Sequence, residues 1–133
     1  MMYNHNCYIY FHFSYNASMS TIYVIDDEPL ILEVVQLFLQ SQGYTVCSYS
    51  TPLDIDINRM IQTCDLLICD VQLGQRKDGL EYCSEWIEKG LRSSILIISG
   101  FMQNPDTFQP EWTLLKKPFN RRQLITEVEK LLS

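Results

Sequence analysis

Four short apolar runs, each followed at once by a polar group, constrain this chain more than any other feature. The polar groups are Asp26-Asp27 after the run 22–25, Asp70 after 66–69, Ser99-Gly100 after 95–98, and Lys117-Pro118 after 113–116. If the runs are parallel strands of one sheet, all of these groups emerge at the same edge. That edge would then hold three carboxylates, one hydroxyl and one ammonium.

The order of strand and helix signals predicts an α/β fold. After the first apolar run, Pro29 opens a segment with apolar residues at helical spacing, and Gly43 follows its last turn. Three of the apolar runs are continuous rather than alternating, which indicates strands covered on both faces. We therefore predict a doubly wound, five-stranded parallel sheet with helices on both faces and the flavodoxin-like strand order 2-1-3-4-5.

The segment 100–112 should hold the fourth helix but is poorly suited to one. Pro105 and Pro110 lie within it, and few of its apolar residues keep a helical period. We expect this helix to be short or irregular. The last helix has a clearer start, because Asn120 can cap it and Gln123 follows three residues later.

The first twenty residues differ from the rest. They are rich in Tyr, Phe, Asn and His and contain no Lys, Arg, Asp or Glu. A secretory signal needs a basic start and a continuous apolar core, and neither is present. We expect residues 1–20 to be an over-long reading frame whose natural start is Met19, or simply disordered. The alternative is an apolar, association-prone strand around Tyr8 and Tyr10. The folded domain is predicted to span residues 21–133.

Charge and cysteine content exclude several classes of protein. The net charge of −6 disfavours DNA binding through the bare surface, and no apolar stretch approaches the ~20 residues that cross a bilayer. The five cysteines show no C-x-x-C spacing. Cys47, Cys64, Cys69 and Cys83 lie in or beside apolar stretches, and we interpret them as small buried hydrophobes rather than bridges or zinc ligands. We therefore expect a cytoplasmic protein with no nucleic-acid partner and no membrane insertion.

The predicted strand order brings a set of charged groups into one crevice. It places Asp26, Asp27 and Asp70 together at the carboxyl ends of the first and third strands. Two unit charges ~4 Å apart repel by about 4 kcal/mol at an effective dielectric near 20, so Lys117 and a hard divalent cation are needed to offset them. Mg²⁺ fits, because it takes one or two carboxylates and favours a phosphoryl partner. Asp70 is the candidate nucleophile for an acyl phosphate, and Ser99 and Lys117 would contact the phosphoryl oxygens.

Each of these residues also has a purely structural interpretation. A single aspartate before Pro29 can cap a helix, Asp70 alone can be a turn residue, and Ser99-Gly100 alone is a common turn. Four separate strand ends with matching chemistry are much harder to obtain by chance. The combination therefore favours a functional site.

With these motifs the chain resembles the receiver domains of response regulators in two-component signalling. The matching motifs are Val24-Ile25-Asp26-Asp27-Glu28-Pro29, residues 66–70, Asp78-Gly79-Leu80, Ile98-Ser99-Gly100 and Lys117-Pro118-Phe119. The resemblance runs from about Thr21 to Ser133. It implies that Asp70 accepts a phosphoryl group from a phosphohistidine on a sensor histidine kinase or a histidine phosphotransfer protein. It also implies that a downstream protein target responds to the phosphorylated domain.

The resemblance assigns a role to each site residue. The metal ligands would be Asp27 and Asp70 directly, Asp26 through water, and the backbone carbonyl of Gln72. Ser99 would move toward the phosphoryl group, and Lys117 would pair with it. Gly100 would leave room for attack by water and so shorten the signal. Beyond its own phosphorylation and dephosphorylation, such a domain is not an enzyme.

The sequence departs from the receiver pattern in three places. Leu114 lies three residues before the lysine, where many receivers carry a switch aromatic, and Trp112 or Phe101 is the candidate substitute. Gly74 stands where proline is common, in a loop one residue longer, and the stretch between the serine and the lysine is short. These differences leave open a binding module whose conformation ignores phosphorylation.

Two further interpretations concern the type of protein. No residues remain after the last helix for an effector domain, so we expect a stand-alone phosphoacceptor switch. A hydrolase that uses an aspartyl phosphate fits poorly. Such enzymes usually place a second acid two residues beyond the nucleophile, and Gln72 occupies that position.

Overall fold

The computed structural model of the protein describes residues 7–8, 20–100 and 108–133. Its strands are Cys7–Tyr8 (β1), Thr21–Ile25 (β2), Thr45–Tyr49 (β3), Leu66–Asp70 (β4), Ser94–Ser99 (β5) and Thr113–Lys116 (β6). Its helices are Pro29–Gln40 (α1), Ile57–Thr63 (α2), Gly79–Glu88 (α3) and Arg121–Leu132 (α4), with a 3₁₀ turn at Pro52–Asp54. None of the helices in these ranges has the length and apolar character that a bilayer crossing requires.

The strands form one sheet in the order β1-β3-β2-β4-β5-β6. Strands β2 to β6 run parallel, and their order confirms the predicted 2-1-3-4-5 arrangement. Strand β1 is an addition, which pairs antiparallel with β3 and sets the backbone of Tyr8 opposite Val46. The rest of the leader, residues 1–6 and 9–19, lies outside the described residues. The domain boundary at residue 21 therefore stays a prediction.

Both faces of the sheet are buried, which explains the continuously apolar strands. Successive residues of one strand point to opposite faces, so Val24 and Ile25 enter different core clusters, and both are fully buried. On one face the sheet packs against α1 and α4 through Leu39 and Leu124. On the other face it packs against α2 and α3. The result is a three-layer sandwich that fixes the carboxyl ends of the strands at one edge.

The ends of the helices follow the predicted signals. Helix α1 begins at Pro29, and Gly43 adopts a φ of 89° just beyond its last turn. Asn120 and Gln123 form a capping box at the start of α4, with both hydrogen bonds 2.8 Å long. Of the segment expected to hold the irregular fourth helix, Gly100 and residues 108–112 are not helical, and residues 101–107 lie outside the described part of the chain.

The interpretation of the cysteines is wrong at one position. Cys47 is disulfide-bonded, whereas Cys64, Cys69 and Cys83 are free. The apolar sequence around Cys47 indicates burial correctly, since the residue is 2% exposed. It carries no information about strand pairing, and in the fold the antiparallel β1 brings the backbone of Cys7 opposite Cys47.

Candidate functional site

The candidate site lies where four parallel strands end. Asp26 directly follows β2, Asp70 is the last residue of β4, Ser99 is the last residue of β5, and Lys117 directly follows β6. The backbone N–H of Lys117 donates to the carbonyl of Ser99 over 2.9 Å, which ties the two outer strand ends together. The predicted convergence of these groups at one edge therefore exists.

Lys117 lies at the centre of the charged groups. Its ammonium nitrogen is 2.8 Å from Asp26 Oδ2, 3.0 Å from Glu28 Oε1 and 3.3 Å from Asp70 Oδ2. The side chains of Asp26 and Asp70 are buried, and that of Lys117 is 12% exposed. One ammonium thus offsets several negative charges in a place that water hardly reaches, where ionic interactions are strong.

Burial changes the acidity of all three groups. The pKa of Asp70 is raised to about 6, first by desolvation and then by the Asp26 charge, against the opposing effect of Lys117. Desolvation also raises the pKa of Asp26, although Lys117 and the backbone N–H of Glu28 oppose the shift. The pKa of Lys117 lies above its ordinary value, because the bonds to Asp26 and Glu28 outweigh its own desolvation. The site therefore carries more negative charge than its lysine can offset.

The three aspartates can hold a metal ion together. One carboxylate oxygen from each of Asp26, Asp27 and Asp70 lies within 4.8 Å of the other two. Two of these side chains are buried, whereas Asp27 is exposed, so the cluster is open on one side. A hard divalent cation with oxygen ligands suits this donor set and would offset the excess negative charge. The backbone N–H of Gln72 bonds the Asp70 carboxyl group, which places the start of the β4–α3 loop beside the cluster.

Two glycines allow the β4–α3 loop to approach the aspartates. Gly74 has a φ of 63°, and a Cβ there would lie 3.2 Å from Asp27 Oδ2. A Cβ on Gly79 would lie 1.9 Å from the carbonyl oxygen of Asp70, so no other residue fits. Asp78-Gly79 is one of the motifs that the chain shares with receiver domains. The structure gives the reason, which is direct contact between Gly79 and the strand end that carries Asp70.

Glu28 is a site residue that the sequence analysis missed. It is the N-cap of α1, its backbone N–H donates to Asp26 Oδ1 over 2.9 Å, and its carboxylate reaches Lys117. Its position directly after the acidic pair was the available signal. Since Lys117 lies 89 residues away in the chain, the sequence could not show the contact.

Ser99 and Gly100 lie beside Lys117 at the end of β5. Ser99 is 3% exposed, and its backbone carbonyl accepts the N–H of Lys117. Among the described residues, a Cβ on Gly100 would meet the Cβ of Lys117, at an ordinary contact distance of 3.9 Å.

The position of the missing switch aromatic is filled by apolar packing. Leu114 is half-buried against the core cluster beneath α2 and α3. Trp112 is 5% exposed, and its ring meets that of Phe108 edge-on with centroids 5.7 Å apart. Phe101, the other candidate substitute, lies outside the described residues.

Comparison with solved structures agrees with the fold. The chemotaxis protein CheY4 of Vibrio cholerae superposes with a TM-score of 0.74 and 20% identity, over 86% of this chain and all of that one. A response regulator receiver protein from Sinorhizobium medicae superposes with a TM-score of 0.73 and 28% identity, over 86% and 94% of the two chains.

Comparison of sequences identifies the family. The response regulator SaeR of Staphylococcus aureus is 23% identical over 120 residues, which cover 86% of this chain and 51% of SaeR. The chain thus spans about half the length of the curated relatives it matches. The family model of the response regulator receiver domain matches residues 22–129. The protein therefore belongs to the response regulator receiver domains, the signalling modules of two-component systems.

Proposed function

We propose that this domain accepts a phosphoryl group on Asp70 from a phosphohistidine donor, in a reaction that depends on Mg²⁺. The observation that carries the proposal is the contact of one ammonium, that of the largely buried Lys117, with the carboxylates of both Asp26 and Asp70 beside a third carboxylate. This arrangement presents a nucleophile, a fixed positive charge and oxygen ligands for a divalent cation at one point.

The side chains of this chain have distinct parts in the transfer. A carboxylate oxygen of Asp70 forms the new O–P bond as the donor N–P bond breaks, and the electron pair of that bond stays on the donor imidazole. The Lys117 ammonium, 3.3 Å from Asp70, offsets the charge of the transferred group, and the Ser99 hydroxyl donates to one of its oxygens. Asp26, Asp27, Asp70 and the Gln72 carbonyl would hold the Mg²⁺, which when bound neutralises phosphoryl charge.

The test is phosphorylation of the full chain by acetyl phosphate and by phosphoramidate, whose P–N bond resembles that of phosphohistidine. With Mg²⁺, intact-mass spectrometry is expected to show the gain of one phosphoryl group that hydroxylamine removes, as expected for an acyl phosphate. Asp70→Asn should gain none, and neither should the wild type in EDTA. Asp54→Asn is the matched control, since Asp54 is an exposed aspartate, and should behave as wild type. Labelling of Asp70→Asn equal to that of the wild type would refute the acceptor.

We also propose that the phosphorylated domain passes its signal on by binding another protein. The donor would be a sensor histidine kinase or a histidine phosphotransfer protein, and the receiver would act on a downstream protein. The matched relatives bear the name response regulator, which supports this role. Capture of binding partners with phosphorylated and unphosphorylated protein tests it, and equal capture by the two forms would count against it.

One observation favours a second candidate, a binding module that does not respond to phosphorylation. Leu114 replaces the switch aromatic, and the neighbouring Trp112 is packed in the core against Phe108. Amide NMR spectra with and without Mg²⁺ and beryllofluoride separate the two. A switch is expected to shift signals from Leu114 and Trp112 as well as from the site. Shifts confined to the site would favour the constitutive module.

A further inference from the structure

We propose that Glu28 is a positioning residue, which holds the Lys117 ammonium closer to Asp26 than to Asp70 until a phosphoryl group arrives. The inference rests on the proposed role of Asp70 as acceptor. It assigns a function to a carboxylate outside the three-aspartate cluster.

The contacts of Lys117 point to this role. An ammonium has three N–H donors, and three carboxylates surround this one. Asp26 and Glu28 lie at 2.8 and 3.0 Å, whereas Asp70 is the most distant at 3.3 Å. The lysine is thus held mainly by the two residues on the β2–α1 side, although its proposed task is at Asp70.

Burial decides which of these contacts can give way. The Asp26 side chain is fully buried, so its release would leave an uncompensated charge in the interior. The Glu28 side chain is 59% exposed, so its carboxylate can return to water at little cost. Glu28 is therefore the contact that Lys117 can exchange for a phosphoryl oxygen.

The backbone of Glu28 keeps its carboxylate at the rim of the site. Its N–H donates to Asp26 Oδ1, and its carbonyl accepts the N–H of Leu32 in the first turn of α1. The same Asp26 carboxylate thus positions Glu28 through one oxygen and Lys117 through the other. The three residues form one unit.

Glu28 should therefore oppose the phosphorylated state. A phosphoryl group carries about −1.5 to −2 charges and would share the Lys117 ammonium with the Glu28 carboxylate. Glu28→Gln keeps the shape and an acceptor oxygen but removes the charge. From the range for exposed ion pairs, we expect it to tighten the binding of a phosphoryl mimic by about two- to fivefold.

The test is titration of the full chain with beryllofluoride in the presence of Mg²⁺, followed by ¹⁹F NMR. Glu28→Gln is compared with Glu33→Gln, which removes the same charge from an exposed position on α1. Glu28→Gln should bind about two- to fivefold more tightly than wild type, and Glu33→Gln should match wild type. Equal changes in beryllofluoride affinity in the two variants would show that only the net charge matters, and would overturn the proposal. Weaker binding by Glu28→Gln than by wild type would overturn it as well.

A second measurement on the metal-free protein tests the contact itself. The side-chain NMR signal of Lys117, assigned by its loss in Lys117→Arg, should shift in Glu28→Gln and stay in place in Glu33→Gln. An unmoved signal in Glu28→Gln would show that the contact is absent in solution and overturn the proposal. If wild type binds no beryllofluoride, the function of Asp70 fails together with this inference. If wild type binds but Glu28→Gln does not differ from Glu33→Gln, only the inference fails.

Discussion

Replacing the proposed phosphoacceptor should stabilise the metal-free protein. Burial and repulsion by Asp26 raise the pKa of Asp70 from 3.8 to about 6, although Lys117 and the backbone N–H of Gln72 oppose the shift. At neutral pH the folded state must therefore hold an ionised carboxylate in a site that disfavours its charge. Asp70→Asn removes that charge, so we expect a higher free energy of unfolding.

The size of the effect follows from the pKa. A rise from 3.8 to about 6 corresponds to about 3 kcal/mol at 1.36 kcal/mol per pKa unit. The asparagine amide must also be buried, which costs about 1–3 kcal/mol when its hydrogen bonds are incomplete. The expected net gain is about 0–2 kcal/mol at pH 7 to 8.

The effect has a defined pH dependence. The pKa of Asp70 is higher in the folded state, so the carboxyl is neutral in both states below pH 3.8, and its charge then costs nothing. The cost appears as the pH rises between the two pKa values and is complete above about 6. The advantage of Asp70→Asn should therefore shrink from pH 8 to pH 5.

Urea denaturation in EDTA at pH 5, 6, 7 and 8 measures this difference. With a slope of about 1–3 kcal/mol per molar urea, the midpoint should rise by up to about 1 M at pH 8. Asp54→Asn, at an exposed aspartate, should stay within about 0.5 kcal/mol of wild type. If Asp70→Asn is less stable than wild type at pH 8, or its gain does not vary with pH, the electrostatic account of the site is wrong.

Three further substitutions test the contacts around the site. Gly74→Ala should weaken Mg²⁺ binding about tenfold in calorimetric titration, because its Cβ would crowd Asp27 Oδ2 and because the backbone φ is 63°. An unchanged Mg²⁺ affinity would contradict this contact. Gly79→Ala should lower the free energy of unfolding by about 3 kcal/mol or more, because its Cβ would lie 1.9 Å from the Asp70 carbonyl. A loss below about 1 kcal/mol would show that the loop relaxes. Asn120→Ala should cost about 1 kcal/mol in the same assay, through loss of the α4 cap, and wild-type stability would refute the importance of the capping box.

The sequence alone was sufficient for the five parallel strands and for the edge of the sheet at which the candidate site lies. Continuous apolar runs such as 66–69 require cover on both faces, and the intervening helical segments supply it, so a parallel sheet follows. Parallel strands present their carboxyl ends at one edge. Asp70, Ser99 and Lys117 could therefore be assigned to a common site before any distance was known.

Only the tertiary structure decided how those groups interact. The contact of Glu28 with Lys117 and the near-contact of Gly79 with Asp70 depend on ångström distances between distant segments. The disulfide bond of Cys47 and the pairing of β1 with β3 were equally invisible, because strand pairing is non-local. The raised pKa of Asp70 depends on the water that the fold removes from around it. Sequence periodicity reports which face of an element is buried, whereas distance and desolvation arise only when the elements pack together.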